Sequence, residues 1–174
     1  IPLAAAAKAC RLRLLVENNR AAEAVAEFRD EPIATWPDSR VGEGALYRGR
    51  AHAALGDGPA AEADFRRAVD WLPEGPLLWS AWLDRGRNAQ RHLRDDTLAL
   101  AAYERVAERM KGDLNAINLE ARLGAAAILR ERGAHAAARR QLQGVAADPL
   151  PGYWRGRLVE AEGDLLAAEG RPAD

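Results

Sequence analysis

A pair of residues four apart keeps returning along this chain: Ala24 with Phe28, Ala61 with Phe65, Ala99 with Tyr103, and Ala138 with Leu142. The second members are separated by 37, 38 and 39 residues. A fixed period of roughly 20 to 50 residues marks a stacked repeat array, in which each unit buries its apolar face only against its neighbours. Length then converts into repeats rather than domains, and 174 residues hold about four and a half of them.

Helices are the expected building blocks. Hydrophobic residues make up 48% of the chain, yet it holds only 2 Phe and 3 Tyr while alanine is abundant, which favours helix over a sandwich or barrel. The formal net charge is −1, so nothing global draws the protein to nucleic acid or an anionic membrane, and neither is expected as a partner. The single cysteine, Cys10, excludes an internal disulfide and a multi-cysteine metal site; in its Ala/Leu-rich stretch it is expected to be a buried, inert thiol. The longest apolar run, Leu3 to Ala7, is far short of the ~20 residues that span a bilayer. The start at Ile1 and a last segment that stops within the repeat pattern suggest a piece of a longer protein. No signal-peptide layout is visible, and the sequence does not choose between cytoplasm and periplasm.

Proline and glycine punctuate the expected helix pairs. The first pair covers Leu3–Glu17 and Arg20–Asp30 around Asn18-Asn19, a turn that asparagine suits because it tolerates the left-handed region. Ala21, Ala24, Val25 and Phe28 form one apolar stripe, and Pro32 and Pro37 end it. The second pair, Gly42–Leu55 and Pro59–Trp71, is the clearest. Gly49 and Ala61 supply the small residues that let two helices cross closely, Gly56 closes the first helix, and Pro73 stops the second. The third pair, Pro76–Leu93 and Asp96–Met110, has Trp79, Trp82 and Leu83 on its first helix, with Gly86 expected to interrupt it and Asp95 or Asp96 to cap the next. The fourth, Leu114–Arg132 and Ala134–Ala147, repeats the motif as Ala126, Leu129, Gly133, Ala138, Leu142 and Val145 before Pro149 and Pro151. A last helix, Gly152–Glu169, carries Gly163, Leu166 and Gly170 at the offsets of Gly49, His52 and Gly56.

With Gly49, His52, Leu55-Gly56-Asp57, Ala61, Phe65, Ala68 and Pro73 at these spacings, the chain resembles a tetratricopeptide repeat protein. A Sel1-like or otherwise irregular helical repeat is the alternative. The resemblance implies an all-α, right-handed α-solenoid of about nine helices, with repeats at 3–37, 42–73, 76–111 and 114–149 and a half repeat at 152–174. It also implies a function: binding a protein or peptide.

Catalysis is not expected. His52, His92 and His135 have no neighbours at metal-ligand spacing; His52 is expected to pack inward and His135 to be solvated. Asp95-Asp96 stand where a helix cap is required, and the hydroxyl residues of the first 100 positions are only Thr35, Ser39, Ser80 and Thr97. No phosphate-binding glycine loop and no nucleophile elbow is present. No cofactor is implied. Arg85, Arg87, Arg91 and Arg94 with His92 form the densest basic patch, offset by Asp84, Asp95 and Asp96; it reads as a solvated helix end or as a surface for an acidic partner segment.

In the tetratricopeptide family the first helices of successive repeats line a concave groove. Carried over in register, that groove comprises Arg13, Glu17, Glu43, Tyr47, Arg50, Arg130 and Glu131, with Leu46 one turn from Arg50. The family's carboxylate clamp uses Lys and Asn; Ala9, Leu46 and Leu123 stand at the Lys positions and Arg13, Arg50 and Ala127 at the Asn positions, so the clamp is not expected. A Leu/Tyr/Arg groove suits an apolar or amphipathic helix with acidic residues. Two roles are consistent with this reading: a peptide-binding scaffold module, or a structural stretch of a longer scaffold in a bacterial secretion or exopolysaccharide export complex. Oligomeric state stays open.

Overall fold

A computed structural model of the chain describes residues 2–112, 115–144 and 151–170. The described residues form nine α-helices and no strand: α1 (Pro2–Glu17), α2 (Ala21–Phe28), α3 (Asp38–Ala54), α4 (Gly58–Trp71), α5 (Pro76–Asn88), α6 (Asp96–Arg109), α7 (Ala116–Glu131), α8 (His135–Gln143) and α9 (Gly152–Ala168). The all-α expectation holds. Leu114, Val145, Ala147 and Pro149 lie outside the described residues.

Two boundaries differ from the sequence reading. Helix α3 begins at Asp38 rather than Gly42, because Pro37 sets the extended N-cap geometry and Asp38 places a carboxylate in the first turn. Gly86 does not interrupt α5. It is buried alongside Ala81 and Leu83, and packing outweighs a glycine's helix cost of about 1 kcal/mol. The helix changes instead at Ala89–Leu93, a single π turn, and ends at Arg94 with φ 57°.

That left-handed residue belongs to a series. Asn19, Gly56, Arg94, Gly133 and Gly170 all have positive φ, at 57°, 79°, 57°, 71° and 69°. Their spacing is 37, 38, 39 and 37 residues, the same period as the recurring pairs that run from Ala24 with Phe28 to Ala138 with Leu142. Each ends the first helix of a pair, where a positive φ lets the next backbone N–H groups reach the last carbonyls. At Gly56 the following amide, Asp57 N, reaches back to His52 O at 3.0 Å.

The chain divides into two compact units, Ile1–Asp95 and Asp96–Asp174, with the division between the two helices of the third expected repeat. In the first unit α1 packs on α2, α3 packs on α1, α2 and α4, and α5 packs on α4 and α3. Leu12, Phe28, Ile33, Val41, Leu46 and Phe65 form its buried core. In the second unit α7 packs on α6 and α8, and α9 packs on both α7 and α8, over Leu119, Leu142, Leu158 and Leu165. The same three-helix contact scheme, a pair plus the first helix of the next pair, therefore occurs in each unit.

Close helix approach follows from the glycines. A Cβ on Gly49 would stand 2.9 Å from two ring carbons of Phe65, and one on Gly124 would stand 2.6 Å from the Tyr103 ring. Each unit also holds one buried arginine that reaches back to the end of the preceding helix. Arg48 Nη1 donates to Phe28 O, at the last residue of α2, and to Glu31 O just beyond it, at 3.2 and 2.9 Å. Arg122 Nη2 donates to Ala107 O at 3.0 Å in the last turn of α6, and Arg122 Nε to Asn118 Oδ1 at 3.1 Å, while Asn118 Nδ2 donates to Met110 O. Burial pushes the Arg122 guanidinium below its usual value. Cys10, expected inside, is exposed: α1 turns Ala5, Ala9, Leu12 and Leu15 inward, and Cys10 follows Ala9 by 100° around the axis.

Candidate partner-binding surface

In the first unit, α1 and α3 gather most of the expected groove residues around one phenol. Tyr47 is 5% exposed, and burial, foremost, pushes its ionisation above the usual tyrosine value, with Arg50, Glu17, Arg13 and Glu43 acting on it as lesser charges. Arg50 lies over the ring, 5.2 Å from its centroid. Glu17 foremost, then Tyr47, holds the Arg13 guanidinium above the usual arginine value, and the buried Arg13 Nε has no hydrogen-bond partner. Glu43 is occupied by Arg40, whose Nη1 donates to Glu43 Oε2 at 2.6 Å.

Arg50 is committed as well as placed. Its Nε donates to Asp84 Oδ2 at 2.7 Å and its Nη2 to Ser80 Oγ at 2.5 Å, tying α3 to α5. Leu46 is corrected: it is 0% exposed and belongs to the core beneath α3, so it presents no surface to a partner. Tyr47 shares most of that burial, on a helix that packs against α1, α2 and α4.

Arg130 lies in the second unit, away from that cluster in sequence and by compact unit. Its Nη1 donates to Asp164 of α9, and Nη2 lies 4.0 Å from Glu131. Arg130 and Asp164 rim a cleft of about 220 Å³ whose floor is Leu123, Ala126, Leu142 and Leu165.

The basic patch resolves into separate jobs. Arg85 turns to Glu62 at 2.7 Å and stacks over Trp82 at 5.3 Å, whereas Arg87 pairs with Asp84 at 3.1 Å and Arg91 and Arg94 are exposed. Arg50, Arg87, Arg91 and His92 line a second cleft, of about 240 Å³, between α3, α5 and the π turn. His52 packs inward as expected, 8% exposed, with Nδ1 3.7 Å from Asp57 and Nε2 4.0 Å from Asp64. His135 is half-buried rather than fully solvated.

Sequence reasoning missed the buried Arg48–Asp64 pair and the role of Asn88. A signal for Arg48 existed: Val41, Ala45, Arg48 and His52 follow one another at three- and four-residue steps, which sets a charge on an otherwise inward stripe. Among the described residues no group of three or more His, Cys, Asp or Glu is arranged to hold a metal ion, and no helix is long and apolar enough to cross a membrane. Compared with protein-family models, curated proteins and solved structures, the chain matches none.

Proposed function

We propose that this chain is a non-catalytic protein–protein interaction module, each of its units a stretch of tetratricopeptide-like right-handed helical array that binds a peptide or helix. The observation that carries the reading is the recurrence of the left-handed helix-ending residue at Asn19, Gly56, Arg94, Gly133 and Gly170 in step with those recurring pairs. Helix pairs repeated at one period are how such arrays build extended surfaces, and within each unit a pair packs on the first helix of the next: α1 and α2 on α3, α3 and α4 on α5, α7 and α8 on α9. Arginine-rich clefts between neighbouring helices then offer anchors to a peptide. The test is to probe an array of unrelated peptides with the full chain. Saturable binding of a subset, competed by the same peptides free in solution, is the expected result. Absence of any saturable binding overturns the module and leaves the structural-scaffold role.

A further inference from the structure

The cleft between the end of α3, the end of α5 and the π turn carries charge and an orphan acceptor together, and we propose that it binds an acidic peptide segment. The proposal rests on the interaction-module reading and names the partner's chemistry. Arg50, Arg87 and Arg91 line the cleft together with one carboxylate, Asp84. Asp84 is divided between the first two, accepting from Arg50 Nε at 2.7 Å and Arg87 Nη1 at 3.1 Å. Arg91 is exposed and makes no ion pair with a described residue.

Asn88 is the second, independent observation. It lines the same cleft, is 2% exposed, and its Nδ2 donates to Gly58 O at 3.0 Å, which fixes the amide's orientation. Its buried Oδ1 has no hydrogen-bond partner. Such an acceptor, unsatisfied in the wall of the cleft, favours a ligand that brings a donor as the wall side chains part to admit it. The cleft thus asks for an anion with an N–H close by. An acidic residue in a peptide offers both: a carboxylate for the arginine forks and a backbone N–H for Asn88 Oδ1. Inorganic phosphate brings the charge without the amide.

The test uses the full chain and fluorescence anisotropy with a labelled amphipathic peptide of Leu, Ala and Glu, its Gln counterpart and its Lys counterpart. The Glu peptide should bind at least about tenfold more tightly than the Gln peptide, and Arg91→Glu should abolish that preference without moving the melting temperature. Arg66→Glu, the same charge change on the exposed side of α4, should leave it intact. In ¹⁵N spectra the Asn88 side-chain amide should shift with the Glu peptide. The assignment is overturned by equal affinity for Glu and Gln peptides, by equal weakening in Arg91→Glu and Arg66→Glu, by phosphate competing as well as free Glu peptide, or by tighter binding of a labelled oligouridylate. Saturable binding of the Gln or Lys peptide that ignores Arg91 defeats the cleft alone; failure of every peptide defeats the module reading with it.

Discussion

Arg48 and Asp64 meet fork to fork between α3 and α4, with Nε 2.8 Å from Oδ2 and Nη2 2.7 Å from Oδ1, and both side chains are buried. Removing one partner strands the other's charge, which costs about 3–5 kcal/mol, whereas replacing both by apolar side chains of similar size is often close to neutral. Asp64→Ala should therefore lose about 3 kcal/mol or more in urea unfolding. The double variant Arg48→Met/Asp64→Leu should recover most of that loss. Equal stability of Asp64→Ala and wild type would show that the pair contributes nothing.

Gly49 is expected to resist even a methyl group. The added carbon would press on the Phe65 ring, itself 1% exposed, so Gly49→Ala should destabilise the first unit by about 1–3 kcal/mol despite alanine's better helix propensity. Adding Phe65→Leu should restore part of the loss if the clash is the cause. Thermal melts of the single and double variants read this directly.

Tyr47→Ala should lower the melting temperature markedly. Burial of this ring puts the cost near 3 kcal/mol, while Tyr47→Phe, which keeps the ring under Arg50, should change stability by less than about 1 kcal/mol. An unaltered melt in Tyr47→Ala would return the residue to the surface role expected from sequence.

Arg94 occupies the position where the other pairs have asparagine or glycine. A left-handed backbone costs a side chain-bearing residue about 1 kcal/mol, so Arg94→Gly should stabilise the chain by roughly 0.5–1 kcal/mol. A destabilised Arg94→Gly variant would mean that the arginine side chain contributes more than its backbone costs.

Glu31 supplies a pH handle. Hydrogen bonds from Lys8 Nζ foremost, and from Trp36 Nε1, both at 2.8 Å, hold its carboxyl below the usual carboxylate range. A depressed folded value contributes stability that is present above the unfolded value of about 4.3 and is lost as pH falls through the folded value. Glu31→Gln should accordingly be less stable than wild type by about 1 kcal/mol at neutral pH, and the gap should narrow as pH falls below about 4.3 and close below the lowered folded value. A gap that persists in acid would point to packing instead.

Much of the fold was legible because glycine, asparagine and proline act locally. Gly56, Asn19, Pro59 and Pro73 do what their backbone chemistry dictates, and the Ala–aromatic stripe set the helix count. What escaped was decided by tertiary contact. Gly86 has a breaker's propensity, but burial against neighbours overrides it; Cys10 sits among apolar residues, but which of them face inward depends on where α2 and α3 pack. In the candidate surface, Arg13, Glu43 and Arg50 act on the Tyr47 ring from α1 and α3, a neighbourhood that follows from helical register alone. Register could not separate the core residue Leu46 from its neighbours, because α3 packs on three helices and leaves little of its circumference to solvent.

The two buried arginines make adjacent helix pairs mechanically interdependent. Peeling α2 from α3 would take Phe28 O and Glu31 O away from Arg48, and peeling α6 from α7 would take Ala107 O away from Arg122, each time removing backbone acceptors from a guanidinium that keeps only its side-chain partners, Asp64 for Arg48 and Asn118 for Arg122. Fraying one pair at a time, the ordinary weakness of a chain whose contacts are all between neighbours, is thereby penalised at the first step. In each unit, opening at that one boundary therefore costs more than the apolar contacts it breaks.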